Sequence, residues 1–175
     1  MHSYINKQRG FSLVEILLVL GIIALLAIAA FIIFPQVQAA NRANTEQANI
    51  TTMAAGIKNL YGSTRNYAGV TPRILVQARI APTSMYANNT AATTLTSAWS
   101  GDVSVGPTGT NNSQFIITYA GVPTEVCTRL VPGLLSNFQT VTVGSTAVSA
   151  QNPTAVVTAC APTNASSVSV AFTSN

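Results

Sequence analysis

Lys7-Gln8-Arg9-Gly10-Phe11-Ser12-Leu13-Val14-Glu15, followed by an apolar run that continues to Phe34, is the stretch whose reading decides the fold. Between Phe11 and Phe34 the only charged side chain is Glu15. At about 1.5 Å per residue a helix of that length reaches roughly 36 Å, enough to cross the ~30 Å hydrocarbon core of a bilayer. An ionised carboxylate near the head of such a span costs about 2.5–3.5 kcal/mol on insertion scales, so Glu15 calls for a partner charge or a functional reason. Lys7 and Arg9 precede the run and favour an N-terminus kept in the cytoplasm, with the rest of the chain outside. A secretory signal peptide is the rival reading, since Ala27-Ile28-Ala29 offers a cleavage site that would release a chain beginning near Ala30. The buried-type Glu and an apolar region longer than the usual 7–15 residues oppose it.

A basic leader ending in Gly10, then Phe11-Ser12-Leu13-Val14-Glu15 and about twenty apolar residues, resembles the type III signal of type IV pilins. Ser12 stands where threonine is commoner in that family. The resemblance implies that a prepilin peptidase cuts after Gly10, that the new N-terminus at Phe11 is methylated, and that Glu15 registers each subunit in a filament. Physically, cleavage would create an ammonium at Phe11, and a Glu15 carboxylate from a neighbouring helix would meet it in an apolar setting. Removing one member of such a buried pair costs about 3–5 kcal/mol, which penalises a subunit docked at the wrong height. The alternative is local: Glu15 complements the positive end of its own helix or bonds its own N-terminus one turn away.

Pro35 follows the apolar run and removes a helical hydrogen bond, so a kink or locally melted turn is expected there. Ala43, Ile50, Met53, Ala54, Ile57, Leu60 and Tyr61 then recur at helical spacing and make an apolar stripe that would seat a globular head. Gly62-Ser63 ends the helix. The expected organisation is a leader over 1–10, a transmembrane and filament-core helix over 11–34, its amphipathic continuation over 35–61, and an α+β head over 62–175.

Within the head, Thr71-Pro72 reads as a cap and first helical residue, with a short helix over Arg73–Ile80 stopped by Ala81-Pro82. Thr83–Ser97 reads as loop, Trp99–Val105 and Gln114–Tyr119 as a hairpin turning at Gly106-Pro107-Thr108-Gly109, and Pro123 as the start of a helix carrying Cys127 and Leu130. Phe138–Val143, Ala155–Thr158 and Ser167–Phe172 are expected as short strands.

The rest of the composition bounds the chemistry. The chain has 175 residues and a net charge of +4, of which Lys7 and Arg9 supply two units, and the other basic residues are scattered singly. No nucleic-acid patch is expected, nor any specific nucleic-acid partner. The single histidine, His2, lies in the leader, and Glu15, Glu46, Asp102 and Glu125 are the only carboxylate side chains. Paired acids, a metal cluster or a Ser-His-Asp arrangement lack raw material, so no catalytic or metal site and no cofactor is expected. Cys127 and Cys160 lack a histidine partner for nucleophilic or metal chemistry. Their even count in an exported head, 33 residues apart, fits an intrachain disulfide.

The whole order is similar to the pilin fold: a long N-terminal helix packed on an antiparallel β-sheet head with one disulfide. The sequences Asn66-Tyr67-Ala68-Gly69-Val70-Thr71, Ile80-Ala81-Pro82, Trp99-Ser100-Gly101, Phe115-Ile116-Ile117, Gly121-Val122-Pro123 and Cys127 resemble type IVb pilins of thin conjugative pili. The short leader and Phe11 depart from many members of that subclass. The resemblance implies a non-enzymatic filament subunit for adhesion, conjugation or motility. Its partners would be copies of itself in a helical filament, a prepilin peptidase, and an inner-membrane platform with its ATPase. It would reside in the inner membrane before assembly and in an extracellular pilus afterwards. A minor pilin or type II secretion pseudopilin shares the signal, although no acidic residue follows Glu125 to build the calcium loop of major pseudopilins. A monomeric membrane-anchored surface-binding protein is the reading from another class.

Overall fold

The computed structural model describes residues 12–86, 92–163 and 165–175. The chain divides after Gln38 into two compact units. Lys7, Arg9, Gly10 and Phe11 lie outside the described residues, as does the middle of the expected 83–97 loop.

Helix α1 runs Leu13–Tyr61 and contains Pro35. Its residues up to Gln38 belong to the first unit, where apolar side chains occupy every face of the helix. From Ala39 onward, Ala39, Ala43, Ile50, Met53, Ala54 and Ile57 are buried in the core of the second unit. Their spacing of three, four and seven keeps them on one side of the helix. Leu60, expected to extend the stripe, is instead 48% exposed. The buried side has already been completed by Ile57 and half-buried Tyr61, whose ring lies 5.9 Å from that of Tyr67.

The head unit sets this face of α1 against a six-stranded antiparallel sheet in the order β1-β2-β3-β6-β4-β5. The strands are β1 (Leu95–Thr96), β2 (Asp102–Thr108), β3 (Gln114–Pro123), β4 (Thr140–Val143), β5 (Thr146–Val148) and β6 (Ser167–Ser174). Alternation decides which face is inward: Phe115, Ile117 and Tyr119 on β3 and Val170 and Phe172 on β6 are fully buried, while Ile116, Thr118 and Ala171 between them are half-buried. Side chains of this size contribute about 1.5–3 kcal/mol each on full burial. Central β3 pairs Ile117 with Val105 on one side and with Phe172 on the other, so the sheet is pinned at its middle. A register shift between Tyr119 and Val122 is absorbed by Gly121 at φ 65°, a left-handed value that glycine takes without strain.

Three short helices fill the connections: α2 (Pro72–Gln77), α3 (Thr124–Leu130) and α4 (Pro153–Cys160). Thr71 caps α2, its hydroxyl accepting from the Ile74 amide at 3.4 Å, and Pro72 starts the helix as expected. Pro123 is the cap before α3 rather than its first residue.

Several expected boundaries moved. Ala155–Thr158 is not a strand but lies within α4, where Asn152 Oδ1 accepts from the Ala155 amide at 3.1 Å and Pro153 occupies the first turn. The cap and the proline override the strand preference of Val156-Val157-Thr158, and burial of Val156 with Cys160 has helical spacing. Gly106-Pro107-Thr108 does not turn: it continues β2, with Pro107 opposite Phe115, and the reversal begins at Gly109. Proline is tolerated because β1 is paired with β2 only at Asp102 and Val103, leaving Pro107 on a stretch of edge where no ladder donor is needed. Trp99 lies in a turn rather than a strand, the expected loop over Thr83–Ser97 contains a 3-10 turn at Thr83–Met85 and β1, and β5 lies outside every expected strand.

Candidate functional site

The first unit offers one functional feature, an apolar helical surface with a single acid. Among the described side chains, the large apolar ones between Leu13 and Phe34 have 48–81% of their surface accessible. A helix that is apolar all round is stable only when something covers it, a bilayer or a bundle of similar helices. Glu15 lies in the first turn of α1, where its amide donates to the Ser12 carbonyl at 3.0 Å. Its side chain flanks a shallow notch with Ile16, Val19 and Leu20, which places an acid on the rim of an otherwise apolar surface. Pro35, the expected kink, is inside the helical run.

In the head, Cys127 at the middle of α3 and Cys160 at the end of α4 are bonded, with Cα atoms 5.6 Å apart. Both are fully buried. The bridge ties two short helices whose Val126, Leu130 and Val156 share one core. Gln47 adds a second tie from α1: its Nε2 donates to the carbonyls of Arg129 at 3.0 Å and Leu130 at 3.2 Å, which are last-turn acceptors of α3.

The residue that sequence reasoning passed over is Glu46. The sequence assigns no role to three of its four carboxylates, Glu46 among them, yet Glu46 is 2% exposed and sits among the core residues of α1. Its Oε1 accepts from the Ala98 amide at 2.8 Å and its Oε2 from the Tyr119 hydroxyl at 3.1 Å. A buried charge is tolerated only when its oxygens are satisfied, and here two donors reach it, one from a loop and one from the central strand. Burial, then the negative charge of Glu46 and the bond to it, hold the Tyr119 hydroxyl well above its usual pKa. The loop itself is a tight 97–101 turn: Ser97 Oγ accepts from the Gly101 amide at 3.1 Å, and Trp99 Nε1 donates to the Ala120 carbonyl at 3.3 Å. Gly101 is required there because a Cβ would collide with that same Ala120 carbonyl. The signal in the sequence was an acid at position 46, four residues before Ile50 and three after Ala43, in register with the apolar stripe.

The family model described as PilS N terminal matches residues 40–175, and the prokaryotic N-terminal methylation motif matches residues 5–31. A search of curated protein sequences finds no match. Among solved structures, the type IV b pilin from Salmonella typhi is similar at 23% identity and TM-score 0.60, over 75% of this chain and 99% of that one. TcpA, a type IV pilin from the Vibrio cholerae El Tor biotype, is similar at 17% identity and TM-score 0.54, over 79% of this chain and 99% of that one. At these identities the two structures speak for the fold, an α+β pilin fold, and the family match covers most of the sequence. This chain belongs to the PilS family of type IV pilins.

Proposed function

We propose that this pilin is cut after Gly10 by a prepilin peptidase, methylated at Phe11, and polymerised through its N-terminal helix into an extracellular filament. The observation that carries the reading is the run of exposed apolar side chains from Leu13 to Phe34, broken only by Glu15. Before assembly that surface is covered by the inner membrane, with residues 1–10 as a cytoplasmic leader retained by Lys7 and Arg9. After assembly, the same surface is covered by the corresponding helices of other subunits, over residues 11–34, while 35–61 continue into the head. Pro35, inside the helical run, removes one backbone donor from it. Transfer from lipid to a helical bundle exchanges one apolar surrounding for another, so packing and the Glu15 pair rather than the hydrophobic effect select the docked position. Repetition of one heterologous contact gives an open helical polymer. Extraction from the bilayer requires work from a platform and ATPase outside this chain. Exposed loops of the 62–175 head set what the filament meets, in adhesion, conjugation or motility.

Intact mass with N-terminal fragmentation, on protein recovered from native membranes and from sheared filaments, tests the reading. The expected chain begins at methylated Phe11 in both fractions. A chain retaining Met1, absent from the sheared fraction, would make it a monomeric membrane anchor. A start near Ala30 would make it a released soluble protein.

A further inference from the structure

We propose that a groove on the flank of α1 is a binding site for a small carboxylate, of the size and character of an acidic monosaccharide. The groove, about 580 Å³, is formed by Ala48, Asn49 and Thr52 of α1, by the Arg79–Thr83 segment that follows α2, and by Tyr86. Its volume falls in the range of small-ligand pockets. On α1, Asn49, Thr52 and Gly56 lie at i, i+3 and i+7, one above another. Gly56 permits the arrangement: a Cβ there would run into the Ile80 side chain, and without it Ile80 settles on the helix as the groove floor.

Asn49 points to a ligand. It is 8% exposed, and among the described residues its buried Nδ2 has no hydrogen-bond partner. A buried amide donor left unmatched costs about 1–3 kcal/mol, a cost removed when the Asn49 side chain, which lines the groove, turns to an acceptor seated there. Arg79 supplies the second donor group. It is exposed and lines the same groove, and its backbone occupies the left-handed region at φ 55° as the amide closes the end of α2 on the Val76 carbonyl at 3.1 Å. Glycine is the usual residue at that position, so an arginine is placed there against local backbone preference.

No acidic side chain is among the described residues lining the groove, and its polar members are the Arg79 guanidinium, the Asn49 amide and the hydroxyls of Thr52, Thr83 and Tyr86. Such a set matches a carboxylate held by a guanidinium fork and an amide, with ring hydroxyls meeting threonines. Ile80, Ala81 and Pro82 supply the apolar surface against which the C–H face of a sugar ring packs.

Galacturonate, with galactose as its neutral counterpart, is the probe. In the full chain labelled with ¹⁵N in detergent, the Asn49 side-chain amide resonance, identified by its loss in Asn49→Ala, is followed during titration. Galacturonate is expected to shift it saturably below about 10 mM, galactose not to shift it, and Arg79→Gln to weaken binding about tenfold. If Arg79→Gln fails to fold, Arg79→Lys keeps the charge, loses the fork and should show a smaller loss. An equal response to galactose, insensitivity to either Arg79 variant, or no shift at all overturns the proposal. A shift that grows with protein concentration before acid is added assigns the groove to a neighbouring copy and likewise overturns it.

Discussion

Tyr119→Phe is the sharpest perturbation of the head, because it deletes one oxygen atom and little else. The hydroxyl is buried and donates to Glu46 Oε2 at 3.1 Å, while the ring packs 5.8 Å from Trp99 and 6.4 Å from Phe172, contacts that phenylalanine retains. A hydrogen bond to a charged acceptor contributes about 1.5–3 kcal/mol, and removing the donor leaves a buried carboxylate oxygen without its described partner. The expected loss is about 2 kcal/mol, roughly a thirtyfold change in the folding equilibrium constant. Trp99 is the only tryptophan and reports on the 97–101 turn that Glu46 holds, so its fluorescence during denaturant unfolding in detergent is the assay.

The pH dependence gives an independent check. The folded-state pKa of Tyr119 is raised, first by burial, then by the charge of Glu46 and the bond to it. A group raised in the folded state contributes stability fully present below its unfolded value, about 10, and lost as pH rises through the folded value. The stability difference between wild type and Tyr119→Phe should therefore be constant up to about pH 9 and narrow above about pH 10. A variant within about 0.5 kcal/mol of wild type, or a difference that stays constant to about pH 11, would refute the view that this bond anchors the turn.

Two further outcomes are expected. Cys127→Ser and Cys160→Ser should each lose about 2–4 kcal/mol of head stability and become protease-sensitive between α3 and α4, as read by limited proteolysis; unchanged resistance in both would remove the bridge from the account of stability. Glu15→Ala should insert into membranes at wild-type level yet give few filaments in the sheared fraction, and a wild-type filament yield would end the registration role.

Apolar patterning made the frame of this fold legible. The all-round apolar run announced the first unit, the helical stripe at Ala43, Ile50, Met53, Ala54 and Ile57 announced the face that seats the head, and alternation at Val168, Val170 and Phe172 announced β6. These signals survive because burial acts on every residue of the pattern together. Readings failed where one local interaction outweighed a run of propensities: the Asn152 cap and Pro153 turned Val156-Val157-Thr158 helical, and an unpaired edge let Pro107 remain in β2.

Glu46 was legible only in part. Its register with the apolar stripe marks it as facing inward, but its donors, the Ala98 amide and the Tyr119 hydroxyl, lie 52 and 73 residues away, so nothing local names the groups that satisfy it. The two acids of α1 nevertheless pose the same physical problem, a carboxylate on an apolar helical surface. The head solves it for Glu46 within its own fold, with a strand and a turn closing over the charge. Glu15 and the apolar residues beside it are exposed, and in the proposed filament its partner is the amino group of another subunit. If Glu15 serves assembly as proposed and Glu46 serves the integrity of the head, their variants fail separately: Tyr119→Phe should weaken the head while leaving filament yield per folded subunit unchanged, and Glu15→Ala should leave the head's unfolding midpoint unmoved.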